Sequence, residues 1–457
     1  MIVERLQDIV GGNCVITDRE RMLDYLTDET APGIRPRPAS ELVLVRPATS
    51  EEVSRILKLA NEERVPVFPR GGGTGLCGGA IPTQNGIILA MERMNRIQID
   101  RDNLMAIAEA GATLRSLIEH VEGAGLLFPP HPGAESAQIG GLIACNAGGA
   151  RAVKYGVTRN YVKGIEAVLP TGEVLSLGGR LLKDNTGYNL MHLIIGSEGT
   201  LAVITEAILR LYPPMGASAT IVIPYESHHD AIDTVPEILR SGIIPLAVEY
   251  MDRLSVETSA EHLGLEWPCK TGAAYLMLIV DGENRQEVDS MCQRVCEIGQ
   301  KHNGLEPLVG QTRKDQERIL RIRSNIYTAL KSDLGDFLDI AVPPASVAGL
   351  VDAIAAIAER FGTTIPICGH AGDGNLHPIL LKSLLEKGTD FKEAKRAIYK
   401  EAAKLGGVMT GEHGLGRVRL PDLDIFLGPK RIELMQGIKK VFDPNCILNP
   451  GCTIAPK

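Results

Sequence analysis

A run of six glycines in nine residues, Gly71-Gly72-Gly73-Thr74-Gly75-Leu76-Cys77-Gly78-Gly79, restricts the fold more than any other stretch of the chain. It follows a strand expected over 65–69 and contains a G-x-G-x-x-G string, with Glu92 near the distance of a ribose-binding acid. A Rossmann fold needs a helix to begin at those glycines. Here Ala80-Ile81-Pro82-Thr83-Gln84-Asn85-Gly86 brings a proline and an Asn-Gly turn, and a strand over 87–90 follows at once. The helix has no room, so the NAD-binding Rossmann reading fails on context. Glycine still permits positive φ and close backbone approach, so successive amides can form a concave nest for a pyrophosphate. A tight turn without ligand is the alternative, but it does not require six glycines.

Two more glycine-rich stretches follow. One runs from Pro129 to Gly156 and includes His131-Pro132-Gly133, Ile139-Gly140-Gly141, Asn146-Ala147-Gly148-Gly149 and Tyr155-Gly156. The other is Gly196-Ser197-Glu198-Gly199-Thr200-Leu201, ahead of a strand over 202–208. Three clusters in one region point to a single extended ligand laid against backbone. Around them, strands over 42–46 and 65–69 flank a helix reaching about residue 63, with Thr49 or Ser50 as its N-cap. Past Pro213-Pro214, strand-like runs (219–223, 273–280) alternate with amphipathic helices (230–239, 284–301), as in a compact α+β domain. Further helices are expected over 311–330 and 344–361.

At 457 residues the chain exceeds one ordinary core. Its net charge of -8, without a block of like charges, argues against nucleic acid or an acidic membrane surface as a main partner. No apolar run is long enough to span a bilayer, and the first residues lack the regions of a signal peptide, so a cytoplasmic location is expected. Nine dispersed cysteines suit reduced thiols, and no Cys-x-x-Cys run offers an iron–sulfur site. Cys292 and Cys296 lie one helical turn apart and are expected to be buried as small apolar residues.

Chemistry concentrates near the end. Of ten histidines, three fall in Gly369-His370-Ala371-Gly372-Asp373-Gly374-Asn375-Leu376-His377 and Gly411-Glu412-His413-Gly414. Two imidazoles and a carboxylate can hold a metal with positions left open, and a third imidazole beside them can act as a base. The alternative is histidines that only hydrogen-bond backbone in glycine turns.

The chain resembles the flavoproteins of the vanillyl-alcohol oxidase and p-cresol methylhydroxylase superfamily, and within it the FAD-dependent D-2-hydroxy-acid dehydrogenase branch. Pro69 to Gly75, Ile139-Gly140-Gly141, Lys183-Asp184-Asn185-Thr186-Gly187-Tyr188, Gly196 to Thr200, Gly369 to His377, Gly411 to Gly414 and Phe442 to Gly451 carry the likeness, in family order. It implies an α+β architecture: a two-part FAD-binding domain of the p-cresol methylhydroxylase type, an α+β substrate (cap) domain, and a C-terminal segment returning to the flavin. The expected division is 1–37 (an N-terminal helical segment), 38–216 (FAD binding), 217–410 (cap with the metal loop) and 411–457.

FAD is expected to bind noncovalently, since Thr74 stands where relatives with attached flavin carry histidine. Its expected contacts come from Pro69, Arg70, Gly71, Gly72, Gly73, Thr74, Gly75 and Leu76, with the pyrophosphate at 70–76. The second cluster adds Pro132, Gly133, Ser136, Ile139, Gly140, Gly141, Asn146, Gly149, Tyr155 and Gly156. Glu198, Gly199, Ile204 and Asn449 complete the set. His370, His377 and Glu412 are expected to hold one divalent metal (Zn, Fe or Mn), with His413 as base. Arg323 is expected on the substrate carboxylate and Asn375 within hydrogen-bond reach of substrate, although Arg313, Arg318 and Arg321 crowd the same helix as Arg323.

The implied reaction is oxidation of a small D-2-hydroxy acid, D-lactate before glycolate, to the 2-oxo acid, with hydride passing to flavin N5. Tyr327 and Phe337 stand where dicarboxylate-using relatives carry polar anchors, which disfavours D-2-hydroxyglutarate. Electrons would leave to a separate acceptor protein, an electron-transferring flavoprotein or an iron–sulfur subunit, and a homodimer is allowed. A larger-substrate dehydrogenase, another flavin oxidase or ether-lipid synthase of the superfamily, a noncatalytic electron-transfer subunit and a metal-dependent hydrolase are the competing readings.

Overall fold

The valine- and isoleucine-rich runs form strands that pair into three sheets. The computed structural model describes residues 2–310, 312–384 and 391–454. The first sheet orders Val15–Ile16, Leu42–Val45, Gly86–Ala90 and Val67–Arg70, the last three mutually parallel. Parallel neighbours need a crossover, and Ser50–Glu63 supplies it as a helix. Thr49 caps that helix by accepting the Glu52 N–H at 3.2 Å, and Arg64 closes it in the left-handed conformation, at φ 54°. Val53, Ile56, Leu57 and Ala60 on its inner face bury against the sheet.

The second sheet is antiparallel, in the order Ile97–Asp100, Met105–Glu109, Val203–Arg210, Val162–Val168, Val174–Gly178. The third has eight strands. Its path runs Leu308–Gly310, Ala217–Tyr225, Ala274–Gly282, Ala247–Asp252, Ile367–His370, Asn375–Leu381, Leu334–Phe337, and Ile340–Ala341 also pairs with Asn375–Leu381. Helices His228–Arg240, Arg285–Lys301 and Val347–Arg360 bury their apolar sides in the core of this sheet. Cys292 is buried there and Cys296 packs at its edge, as expected of small apolar residues. All nine cysteines are free thiols. The α+β class is the one expected.

Two expectations need correction. The first 37 residues are not a helical segment standing apart. Beyond helix Ile2–Val10 they supply strand Val15–Ile16 to the first sheet, because Leu6, Val10 and Val15 share one core with Val45 and Ile56. The helix expected over 311–330 is two helices, Arg313–Ser324 and Ile326–Leu330, broken at Asn325, whose side chain bonds back to the Arg321 carbonyl; Gln311 lies outside the described residues.

Residues 71–85 contain neither helix nor strand, so the glycine run is a loop, as its proline and Asn-Gly turn require. The chain's end returns to it. The Val67 N–H donates to the Ile447 carbonyl and the Asn449 N–H to the Val67 carbonyl, and the Asn449 side-chain amide reaches the Gly79 and Glu198 carbonyls at 3.0 and 2.8 Å. Buried Lys439 anchors this return through Asp443 and the Thr200 and Leu448 carbonyls. Removing one member of a buried ion pair leaves the other uncompensated, so Asp443→Ala should cost about 3–5 kcal/mol of stability. Urea unfolding of the flavin-loaded protein measures it.

Candidate active site

Strand register builds the first half of the site. Glu249, His370 and Asn375 are direct cross-strand partners on three adjacent strands, so their side chains share one face of the large sheet. His377, two residues beyond Asn375, joins that face. A turn over 371–374 connects the two histidine-bearing strands. The second half is a loop hung from one carboxylate. Asp339, fully buried, takes the Glu412 and His413 amides at 3.0 and 2.8 Å, the Thr410 hydroxyl at 2.7 Å and the Asn375 amide at 2.9 Å.

This brings three imidazoles around one oxygen. Glu412 Oε1 lies 3.3 Å from His370 Nε2, 3.4 Å from His377 Nε2 and 3.5 Å from His413 Nε2. The His377 and His413 rings stack at 5.0 Å and 10°, and Phe337 packs against both, stacked on His377 at 5.0 Å and tilted toward His413 at 6.0 Å. Burial alone would raise the Glu412 carboxyl, but the His370 charge and the imidazole hydrogen bonds outweigh it and hold it well below the usual carboxylate range. Burial depresses His377, whereas at His413 the Asp339 and Glu412 carboxylates overcome burial and hold the ring above its ordinary value.

The imidazoles differ on their far sides. His370 Nδ1 meets Glu249 Oε1 at 2.6 Å, and His377 Nδ1 meets the Leu338 carbonyl at 3.2 Å. His413 Nδ1 is buried and finds no hydrogen-bond partner among the described residues. Metal-ligating histidines nearly always have the second nitrogen bonded. The donor set of His370, His377 and Glu412 thus fits a divalent ion, and His413 is the imidazole left over. Asp339 lies within 4.8 Å of the His377, Glu412 and His413 donor atoms, but its four hydrogen bonds commit it to the scaffold.

Arg323 is no surface arginine. Its Nε donates to Glu249 Oε2 at 2.6 Å, a second guanidinium nitrogen reaches the same oxygen, and burial leaves it facing one cavity. That cavity, about 1050 Å³, exceeds the usual range for one small ligand, roughly 300–1,000 Å³. It runs without a break from the first glycine loop to the imidazoles, with Arg323, Tyr327 and Phe337 as walls near His370, His377, Glu412 and His413. Pro69 to Leu76, Pro132, Gly133, Ser136, Gly140, Gly141, Gly149, Glu198, Gly199, Ile204 and Asn449 all face it, as does His131. The chain fits a long ligand with a planar part, because backbone itself forms the walls. A Cβ on Gly72 would lie 2.5 Å from the Ser136 carbonyl oxygen. Gly72→Ala therefore forces the two loops apart, costing about 1–3 kcal/mol, and should lower the flavin-to-protein absorbance ratio of purified protein.

Several expected contacts sit elsewhere. Ile139 packs in the core of the second sheet. Asn146 uses its side-chain oxygen on the Arg159 amide, and Tyr155 and Gly156 end a short helix away from the cavity. Arg70 touches the cavity, but its guanidinium is spent on the Thr27 and Asp24 carbonyls at 2.6 and 2.7 Å, pinning the N-terminal segment. Gly73, at φ 70°, sits above that arginine, and a Cβ there would lie 2.0 Å from it. Glu198 accepts the Leu415 and Gly416 amides at 2.9 and 2.8 Å, joining the glycine loop to the C-terminal segment. Asn375 gives its amide to Asp339 and the Ile340 carbonyl and lies off the cavity wall, so it acts on the site only through Asp339. Glu249 and Asp339 were not expected.

Comparison with known proteins identifies the chain as an FAD-linked oxidoreductase. The family described as "FAD binding domain" matches residues 42–178, and "FAD linked oxidases, C-terminal domain" matches 215–453. A D-lactate dehydrogenase of Archaeoglobus fulgidus is 44% identical over 429 residues, 93% of this chain and 94% of that protein. The glycolate oxidase subunit GlcD of Bacillus subtilis is 37% identical, over 89% of this chain and 88% of that one. Among solved structures, p-cresol methylhydroxylase with substrate bound superposes with a TM-score of 0.77 at 19% identity, covering 99% of this chain and 96% of that one. That likeness shows the fold. No described helix is long and apolar enough to cross a membrane.

Proposed function

Because the chain belongs to the FAD-linked oxidases of the vanillyl-alcohol oxidase and p-cresol methylhydroxylase superfamily, and is an FAD-dependent oxidoreductase, we propose that it oxidises a small D-2-hydroxy acid to the 2-oxo acid. D-Lactate is the favoured substrate and glycolate the next. The observation that carries this is the single cavity joining the glycine loops to Arg323 and the imidazoles. A guanidinium fork opposite a base suits a molecule with a carboxylate at one end and an ionisable hydroxyl beside it. Tyr327 and Phe337 close the far side with aromatic surface, 5.2 Å apart edge to face, which suits a methyl group better than a second carboxylate.

Arg323 binds the substrate carboxylate and fixes the Cα–H direction. His413 accepts the hydroxyl proton at Nε2, the nitrogen that faces Glu412 and the cavity. Noncovalent FAD supplies the two-electron acceptor, at N5. One divalent ion, Zn, Fe or Mn, held by His370, His377 and Glu412, would supply Lewis acidity toward the hydroxyl. The stack of Phe337 on His377 and of His377 on His413 keeps both rings from turning. The dispersed free thiols offer no cluster site, which favours a separate acceptor protein, an electron-transferring flavoprotein or an iron–sulfur subunit.

The test is anaerobic visible spectroscopy of the purified protein with D-lactate, L-lactate and glycolate in parallel. D-Lactate should bleach the flavin bands and L-lactate should not. Bleaching by a phenol or by L-lactate instead would remove this reading. Chelation should slow bleaching by about 100-fold or more while the yellow colour stays, since Lewis acidity contributes several kcal/mol to such steps. Zn²⁺, Fe²⁺ or Mn²⁺ should restore it.

A further inference from the structure

Glu249 sits between the two ends of the proposed site. Its side chain is 1% exposed, and each of its oxygens has a different partner. Oε2 receives the Arg323 guanidinium, with Nε at 2.6 Å, and Oε1 lies 2.6 Å from His370 Nδ1. Such an arrangement fixes more than position. An ionised carboxylate only accepts hydrogen bonds, so the His370 nitrogen facing it carries the hydrogen. The contact to Glu249 is the shorter of the two, 2.6 Å against 3.3 Å from Nε2 to Glu412, so Nε2 is the nitrogen left to give its lone pair to an ion shared with Glu412. The same carboxylate holds one edge of the Arg323 fork and so turns the remaining N–H groups to the cavity.

From this we infer that Glu249 is a shared positioning residue, setting His370 as an Nε2 donor for the ion and Arg323 as the carboxylate clamp in one action. The inference rests on the proposed roles of Arg323 and His370. It explains why a strand residue is a buried acid: two donors converge on it, one from the neighbouring strand and one from the helix Arg313–Ser324. It also ties the hydroxyl end of the substrate to the carboxylate end, so that one buried group keeps both in register over the flavin.

Glu249→Gln separates this role from simple packing. Glutamine has the same shape but one acceptor oxygen, so it can serve Arg323 or His370 Nδ1–H, not both. If the oxygen stays with Arg323, the amide N–H₂ faces His370 and selects the tautomer with hydrogen on Nε2, which cannot bind an ion. Competition with a chromophoric chelator on flavin-loaded protein should then show Zn²⁺ bound about 10- to 100-fold more weakly. In histidine-selective ¹⁵N spectra, the His370 hydrogen should move from Nδ1 to Nε2. With Zn²⁺ saturating, KM for D-lactate should rise at least as much as kcat falls.

A folded, yellow Glu249→Gln protein with wild-type Zn²⁺ affinity, an unmoved His370 tautomer and an unchanged KM for D-lactate overturns the inference, since the one remaining oxygen must abandon either His370 or Arg323. Should that variant fail to fold, wild-type protein still decides it: a His370 signal with hydrogen on Nε2 alone rules Glu249 out as the group that sets it. Glu249→Asp, which keeps both acceptors one methylene further back, should retain the tautomer and lose affinity only in part. The substrate reading fails separately, by absence of bleaching with D-lactate in the wild type, and leaves the Zn²⁺ and tautomer results standing.

Discussion

His413→Ala is expected to keep its flavin and its metal while reducing that flavin with D-lactate about 100- to 10,000-fold more slowly than wild type, the usual contribution of a positioned general base. The expectation follows from the asymmetry among the three imidazoles. His370 and His377 have their outer nitrogens bonded to Glu249 and the Leu338 carbonyl, as ligands do, whereas His413 Nδ1 has no such partner among the described residues. Its ring is held instead by stacking on His377 and by the Asp339 grip on its own amide. Alanine therefore removes the base and leaves the ligand set whole. Stopped-flow bleaching gives the rate, and metal analysis of the same sample gives the second readout. A rate within tenfold of wild type would move the base elsewhere. Loss of the metal together with the rate would make His413 a ligand.

The cofactor loops and the histidine cluster were readable because their signals are local. Pro82 and Asn85-Gly86 deny a helix after the glycine run, and the loop over 71–85 obeys them. Thr49, Asn284 and Thr312 each cap a helix by a short-range rule that needs no tertiary contact. The residues that were missed depend on register. Glu249 is 121 positions from His370, and only the pairing of two strands makes them neighbours. Asp339 looks like any strand-end acid until four donors from Asn375, Thr410, Glu412 and His413 converge on it.

The error at Arg70 has the opposite cause. Adjacency to glycines suggested an anion, but side-chain direction is set by packing, and this arginine reaches back to the segment at 24–27. Gly73, which looked like part of a phosphate nest, sits at φ 70° above that guanidinium, so backbone strain first and crowding by Arg70 second disfavour a side chain there. Ile139 and Tyr155 were misplaced for a similar reason. A glycine-rich stretch places its backbone against the ligand, while the larger side chains between the glycines turn the other way, Ile139 into the core of the second sheet and Tyr155, half-buried, against its edge. Asn375 shows that a polar residue inside a ligand loop can serve the loop's own support.

Arg323→Met should reduce kcat/KM for D-lactate by about 100- to 10,000-fold, the effect of losing two hydrogen bonds to a charged group at roughly 1.5–3 kcal/mol each. Among the described residues, three arginines line the cavity: Arg70 is committed to backbone carbonyls, Arg151 reaches the Pro129 carbonyl, and Arg323 is the one tied through Glu249 to His370, with a fork that matches a carboxylate. Arg323→Lys keeps the charge for Glu249 but lacks the fork. One ammonium cannot serve Glu249 and a substrate carboxylate in the geometry of two parallel bonds, so a loss of about 10- to 100-fold is expected for lysine. The comparison separates charge from shape: a lysine variant as impaired as methionine makes orientation the dominant factor, and one near wild type makes charge alone sufficient. Because the carboxylate is bound in the ground state as well as in the transition state, most of the loss should appear in KM. A fall confined to kcat, with KM unchanged, would mean that Arg323 does not hold the substrate carboxylate.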